Sequence, residues 1–199
     1  MRRVTRLFKQ VEAMPEPYSY SPNPVVVDAY SRTLSRLHWV MGAAVVGAVA
    51  SVKLAQNTEN KERKGTLMNA HKSLALVVLA LLPLRLAARR LSRIPAPLPG
   101  PRLQQMAGNA SHLALYGFVT ALPLSGVAMG YFSGFGVPFF FIPKAIKGSE
   151  TPDKPLANAA YKAHSVIGQV FVFFLPIHVG GALFHYFKGQ KIFQRINPF

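Results

Sequence analysis

The sequence predicts an all-α protein, an integral membrane four-helix bundle with both termini on one side, and three features of the chain lead there. Half of its 199 residues are hydrophobic and only 15% are charged, although the formal net charge is +16. The charges fall between long apolar runs, unlike those of a soluble basic protein that grips nucleic acid along polar helices. The apolar runs recur four times, each near the ~20 residues that carry a helix across a hydrocarbon core, and none alternates as a barrel strand would.

The first apolar run covers residues 38–55, "HWVMGAAVVGAVASVKLA". The others cover 69–88, 111–132 and 161–187. Four crossings return the chain to the side on which it started. Most of the 23 Lys and Arg lie toward the termini and the second connection, among them Arg2, Arg3, Arg6, Arg32, Arg36, Arg89, Arg90, Arg93 and Arg195. Glu59, Glu62, Glu150 and Asp153 lie in the first and third connections. The positive-inside rule then places both termini in the cytoplasm of a bacterium or the matrix of a mitochondrion, with the protein in the corresponding inner membrane.

Residues 1–34 form a basic, polar arm, 35–190 the helical domain and 191–199 a tail. The arm opens with "MRRVTRLFKQ", which resembles a signal n-region or a presequence. The polar, proline-rich "PEPYSYSPNP" follows it in place of an apolar core and cleavage site. The arm is therefore expected to rest on another surface, either a partner subunit or the lipid headgroups. The second connection, "RIPAPLPGPRL", is stiffened by prolines, and the third, residues 133–158, is rich in Gly and Pro. With no cysteine, the chain can form no disulfide, thiolate metal site or thioether-linked prosthetic group.

The six histidines are the chemistry-bearing residues. Alternating helix direction puts His38 and His112 near the inner face, and His71 and His164 near the outer face. His178 follows His164 by 14 residues, a rise of about 21 Å and a net turn of about 40°, so the two share one face of the last helix at different depths. An iron porphyrin within a bundle takes one imidazole on each side, from facing helices at one depth. His71 and His164 meet that demand at the outer face, and His178 meets it at the inner face with either His38 or His112. Two b-type haems would then stack across the membrane. Gly42, Ala43, Ala44, Gly47 and Ala48, with Gly126 and Gly130, leave room either for flat macrocycles or for close helix contact. Arg85 lies inside an apolar run and needs an anionic partner, such as a haem propionate, or an escape to lipid phosphate.

Taken together, "SRLHWVMG", "LMNAHKSLAL" followed by "LPLRL", "GNASHLALYGFVTALPLSGVAMGY" and "AHSVIGQVFVFFLPIHVGGALFHYF" resemble the four spans of the bacterial cytochrome b561 family, the group that includes superoxide oxidase. The resemblance runs from Ser35 to Pro198. It implies two haems b, with His71 and His164 binding the outer iron and His38 and His178 the inner one. His112 and His185 match family histidines that would touch propionates or a quinone, or cap a helix end. Arg85 matches an arginine of the second span.

Two axial imidazoles leave no open iron position and favour outer-sphere electron transfer. The resemblance to superoxide oxidase implies that superoxide delivers electrons at the outer haem and that ubiquinone collects them. Lys53, Lys61, Arg63, Lys64 and Lys72, with Lys144 and Lys147, form a basic outer margin able to steer a small anion, and Lys64 and Lys72 are the steering candidates. Arg36, Trp39 and His112 mark the expected quinone end. A membrane-anchor subunit of a larger respiratory complex is the alternative. A proton or metal transporter is disfavoured because the spans hold no acidic partner for the histidines, and an ascorbate-driven eukaryotic cytochrome because that fold has six spans.

Overall fold

The computed structural model describes residues 28–199, and its element order is four long helices, a two-stranded hairpin before the last of them, and a final single turn. The helices are α1 (Arg32–Gln56), α2 (Lys61–Leu91), α3 (Arg102–Phe132) and α4 (Lys154–Phe187). The strands β1 (Val137–Phe139) and β2 (Ile142–Ile146) stand between α3 and α4, and α5 (Ile192–Arg195) lies in the tail. Most of the predicted arm lies outside the described residues.

Every long helix extends beyond its apolar run, chiefly at its start, and polar side chains cap that start in α1, α2 and α4, whereas α3 starts after Pro101 with no side-chain cap. Ser31 Oγ accepts from the Leu34 N–H at 3.3 Å, Asn60 Oδ1 from Arg63 at 2.9 Å and Asp153 Oδ1 from Leu156 at 2.9 Å. Each cap satisfies an amide that the first turn leaves without a partner. The 31 residues of α2 and of α3 rise about 46 Å, so their ends project past a hydrocarbon layer of about 30 Å.

Among the described residues, α1, α3 and α4 are long and apolar enough to cross a membrane. The protein is an integral membrane protein. The second helix carries a similar apolar run between a charged start (Lys61, Glu62, Arg63, Lys64) and a basic end (Arg89, Arg90).

The closest backbone packing joins α1 to α2 and α3 to α4, with α2 touching α3. Met41 and Ala44 of α1 and Val78 and Leu82 of α2 form the buried core, backed by Tyr116 and Val119 of α3. Gly47 admits close contact between α1 and α2, since a Cβ there would stand 3.0 Å from Leu74 Cδ1. On α4, Ala157 and Phe171 are buried. The remaining apolar side chains of that helix face outward or line internal space.

The hairpin was not foreseen from the sequence. Its strands pair antiparallel, Val137 with Ile146 and Phe139 with Ile142, around Phe140 at φ 47°. A run such as "VPFFFIPKAI" has neither polar alternation nor a recognisable two-residue turn, so its pairing is set by what it packs on. Glycine is required at Gly130 and Gly136. A Cβ on Gly130 would lie 2.6 Å from Val137 Cγ2, and one on Gly136, whose φ is +73°, would lie 2.4 Å from the Ile146 carbonyl oxygen.

Candidate functional site

The fold gathers the predicted histidines into two groups at opposite ends of the bundle. At the hairpin end, His71 of α2 faces His164 of α4, with ring centroids 6.1 Å apart and ring planes at 90°. At the tail end, His178 of α4 lies 6.4 Å from His38 of α1 and 5.5 Å from His112 of α3. Two metal–nitrogen bonds of about 2 Å, plus roughly 1 Å from each nitrogen to its ring centre, would put two axial imidazoles about 6 Å apart. The His71–His164 and His38–His178 separations fit that span, and His112–His178 is shorter.

Backbone carbonyls set the protonation of the hairpin-end pair. His71 Nδ1 lies 2.8 Å from the Ala48 carbonyl oxygen. His164 Nδ1 lies 3.0 Å from the Leu122 carbonyl and 3.1 Å from Ser125 Oγ. A carbonyl can only accept, so Nδ1 carries a proton in both rings, and in the neutral imidazole that leaves the lone pair on Nε2. That is the tautomer a metal-binding imidazole needs, with its other nitrogen held by an outer partner.

Both rings line an open cavity of about 740 Å³ bordered by all four long helices and the start of the hairpin at Val137. Its volume lies within the roughly 300–1,000 Å³ of sites that enclose cofactors. The wall is mostly apolar, with Phe118, Leu122, Gly126, Gly168 and Phe171 among its residues. Gly126 fits against the His164 ring, where a Cβ would stand 3.5 Å from Cε1. Lys53, Lys64 and Lys72 also line the cavity, whereas the other predicted steering residues, Lys61, Arg63, Lys144 and Lys147, are not part of its lining.

The tail-end group has a different electrostatic setting. Arg85 Nη2 donates to His38 Nδ1 at 3.2 Å, and the buried Nη1 of the same guanidinium has no acceptor among the described residues. Arg85 and Arg89 both stand about 6 Å from the Tyr116 ring centroid, the range of a cation–π contact. A half-buried guanidinium with a buried, unused donor beside His38 suits an anionic group with carboxylate oxygens. Accepting at Nδ1 leaves the His38 proton on Nε2, so an iron porphyrin fits the donor set at this end only with Arg85 turned from His38 to a propionate, which frees Nδ1 to take the proton and Nε2 to bind.

The structure separates His185 from the other histidines. Its ring meets Gln104 Nε2 at 3.3 Å and also Gln190 Oε1, while Gln190 Nε2 donates to the Pro99 carbonyl at 2.9 Å. His185 thereby closes the end of α4 against the second connection. Of the residues expected at the quinone end, Arg36 and Trp39 donate to carbonyls of the C-terminal tail, whereas His112 joins the histidine group.

Two contributors escaped the sequence reading. Ser125 supports His164, and no local pattern marks it. Phe171 sits seven residues from both His164 and His178, on the face they share, and packs on Phe118 with centroids 5.2 Å apart. The even seven-residue spacing was legible and could have identified Phe171 as the layer between the two groups.

Comparison with known proteins bears on the same segment of chain. The family model for prokaryotic cytochrome b561 matches residues 29–198. A relative named "Cytochrome b561 homolog 1", from Escherichia coli (strain K12), is 26% identical over 175 residues, covering 86% of this chain and 98% of the relative.

Proposed function

The chain belongs to the prokaryotic cytochrome b561 family of membrane electron-transfer proteins, which implies b-type haem, and on that premise we propose that it is a dihaem superoxide:ubiquinone oxidoreductase. In this reading α2 also crosses the bilayer, giving four spans and both termini on the inner side. His71 and His164 hold the outer haem, and His38 and His178 hold the inner one. The observation that carries the proposal is the pair of histidine groups, one at each end of the bundle, with centroid separations of 6.1 and 6.4 Å.

Haem held by these histidines would supply one-electron redox chemistry. The chain's own residues do the rest. Ala48, Leu122 and Ser125 orient the hairpin-end imidazoles through Nδ1. Gly126 leaves the ring of His164 free of a neighbouring side chain. Arg85 offers its unused donor to propionate oxygens at the tail end. Lys53, Lys64 and Lys72 give the hairpin-end cavity a positive lining that attracts superoxide. Each superoxide loses one electron and leaves as oxygen. Two such electrons, with two protons from the inner side, convert ubiquinone to ubiquinol.

The test is a pigment count followed by two variants. Purified protein should show a b-type α-band and two haems per chain, both lost on denaturing extraction. His164→Ala should then abolish the hairpin-end haem alone, and His178→Ala the tail-end haem alone. Loss of the same haem in both variants would refute the assignment.

A second reading, a membrane subunit anchoring a larger respiratory complex, draws on the exposed phenylalanines at and just before the hairpin, where Phe135 is 80% and Phe141 99% exposed. Under it the purified chain would contain both haems but turn over no superoxide. Electrons would then enter from a partner.

A further inference from the structure

The tail end of the bundle is tied by hydrogen bonds that the haem assignment does not use. Arg36 Nε donates to the Pro198 carbonyl at 3.0 Å, and Trp39 Nε1 donates to the Ile196 carbonyl at 2.8 Å. Both donors lie on α1, on either side of His38 in the chain. The tail is in turn fixed from its other flank. Arg195 Nε donates to the Asp28 carbonyl at 3.0 Å, its Nη2 donates to the Ala96 carbonyl, and its own carbonyl accepts from the Tyr30 amide at 2.9 Å. Asp28 Oδ2 accepts from the Ala96 amide at 2.8 Å, which joins the entry to α1 with the α2–α3 connection. Phe193 packs on Tyr186 of α4 with centroids 5.5 Å apart.

One short segment therefore joins the end of α4, the start of α1 and the second connection. Its grip on α1 reaches the histidine directly, because the Trp39 ring stands edge-on to His38 at 5.7 Å and 75°. An indole held by its N–H at one edge cannot turn freely, so the imidazole beside it loses a direction in which to move. Hairpin-end histidines need no such device, since backbone carbonyls of packed helices hold their Nδ1 atoms. His38 Nδ1 instead meets Arg85, a long side chain with an unused donor.

We propose that residues 192–198 form a clasp that positions His38 through Trp39, making Trp39 a positioning residue for the tail-end haem. The inference rests on the proposed ligation of that haem by His38 and His178. The contacts on the tail are main-chain carbonyls, so its position matters more than the side chains of Ile196 and Asn197. A perturbation of the clasp should register at one haem and leave the other as an internal control.

The experiment uses the full chain in detergent, a truncation ending at Lys191, Trp39→Phe, and the two changes combined. Low-spin electron paramagnetic resonance and a potential titration follow each haem, and haem loss to added apomyoglobin reports retention. Trp39→Phe keeps a ring beside His38 but loses the hydrogen bond. It should shift the resonance and potential of the tail-end haem and speed its loss about fivefold, the scale of one hydrogen bond. The truncation should shift the same signals in the same direction, and the combined variant should go little further, because both changes break one linkage. Ile196→Ala should resemble the unaltered protein. Tail-end signals unmoved in both single variants, or equal shifts at both haems, would overturn the clasp. Should the truncated chain fail to assemble, the Trp39→Phe and Ile196→Ala pair decides alone. An unaltered protein with no tail-end haem would instead sink the ligation on which the clasp depends.

Discussion

Replacing Ser73 by Ala should loosen the cover of the hairpin-end cavity without touching a histidine. Ser73 is fully buried, and its Oγ accepts from the Phe140 amide at 2.6 Å while donating to the Asn69 carbonyl at 2.8 Å. The change leaves the Phe140 N–H without that partner, at a cost of about 1–3 kcal/mol for a buried group. Phe140 is 41% exposed, so water can partly replace the serine, and the lower part of the range, about 1–2 kcal/mol, applies. At roughly tenfold per 1.4 kcal/mol, opening of the hairpin tip should become about 5- to 30-fold more frequent. Hydrogen exchange read by mass spectrometry on peptides covering 138–142, with the protein in nanodiscs, measures this directly. Asn69→Ala should do less, because its bond to the Phe140 carbonyl is solvent-exposed. Residues 135–137 line the cavity, so the hairpin-end haem should also become more accessible to small aqueous reductants. Exchange that changes less than twofold, or that rises equally along the whole chain, would refute this role of Ser73.

Other outcomes follow from the proposed two-haem reading. Gly126→Ala should retain both haems, because the added carbon makes only ordinary contact with His164, whereas Gly126→Leu should eject the hairpin-end haem alone in a pigment assay. Lys64→Glu and Lys72→Glu should slow haem reduction by superoxide and flatten its decline with salt, where screening acts over about 8 Å at physiological strength, while leaving both haem spectra unchanged. Phe171→Ala should lower the thermal unfolding temperature by removing a buried ring, about 3–5 kcal/mol in comparable cores, and Phe171→Leu should recover much of the loss. Arg85→Gln should weaken tail-end haem retention measured by transfer to apomyoglobin, with hairpin-end retention unaltered.

The sequence by itself determined the class of molecule and the grouping of its histidines. Apolar runs near the length of a bilayer span leave few alternatives to helices, because backbone polar groups in lipid must pair within their own segment. The 14-residue interval between His164 and His178 fixes both their shared face and their separation along the axis, since helix geometry depends on no neighbour. Pairing across helices was legible only as depth. That was enough to match His71 with His164, but it left His38 and His112 as alternatives opposite His178.

Tertiary structure decided what depends on contacts between segments distant in sequence. It brought the Ala48 and Leu122 carbonyls to the two hairpin-end imidazoles, set His185 apart among glutamines, and selected Lys53, Lys64 and Lys72 from the basic margin. It folded residues 137–146 into a hairpin that no local pattern announced, because Gly130 admits Val137 against α3 and Gly136 admits the close approach of the Ile146 carbonyl. It also turned Arg36 and Trp39 toward the C-terminal carbonyls, more than 150 positions away in the chain. A helix's period and depth are properties of one segment and can be read along it. The partner that satisfies a given nitrogen or carbonyl is set by which segments the packed bundle brings together, and for these residues only the folded arrangement specifies it.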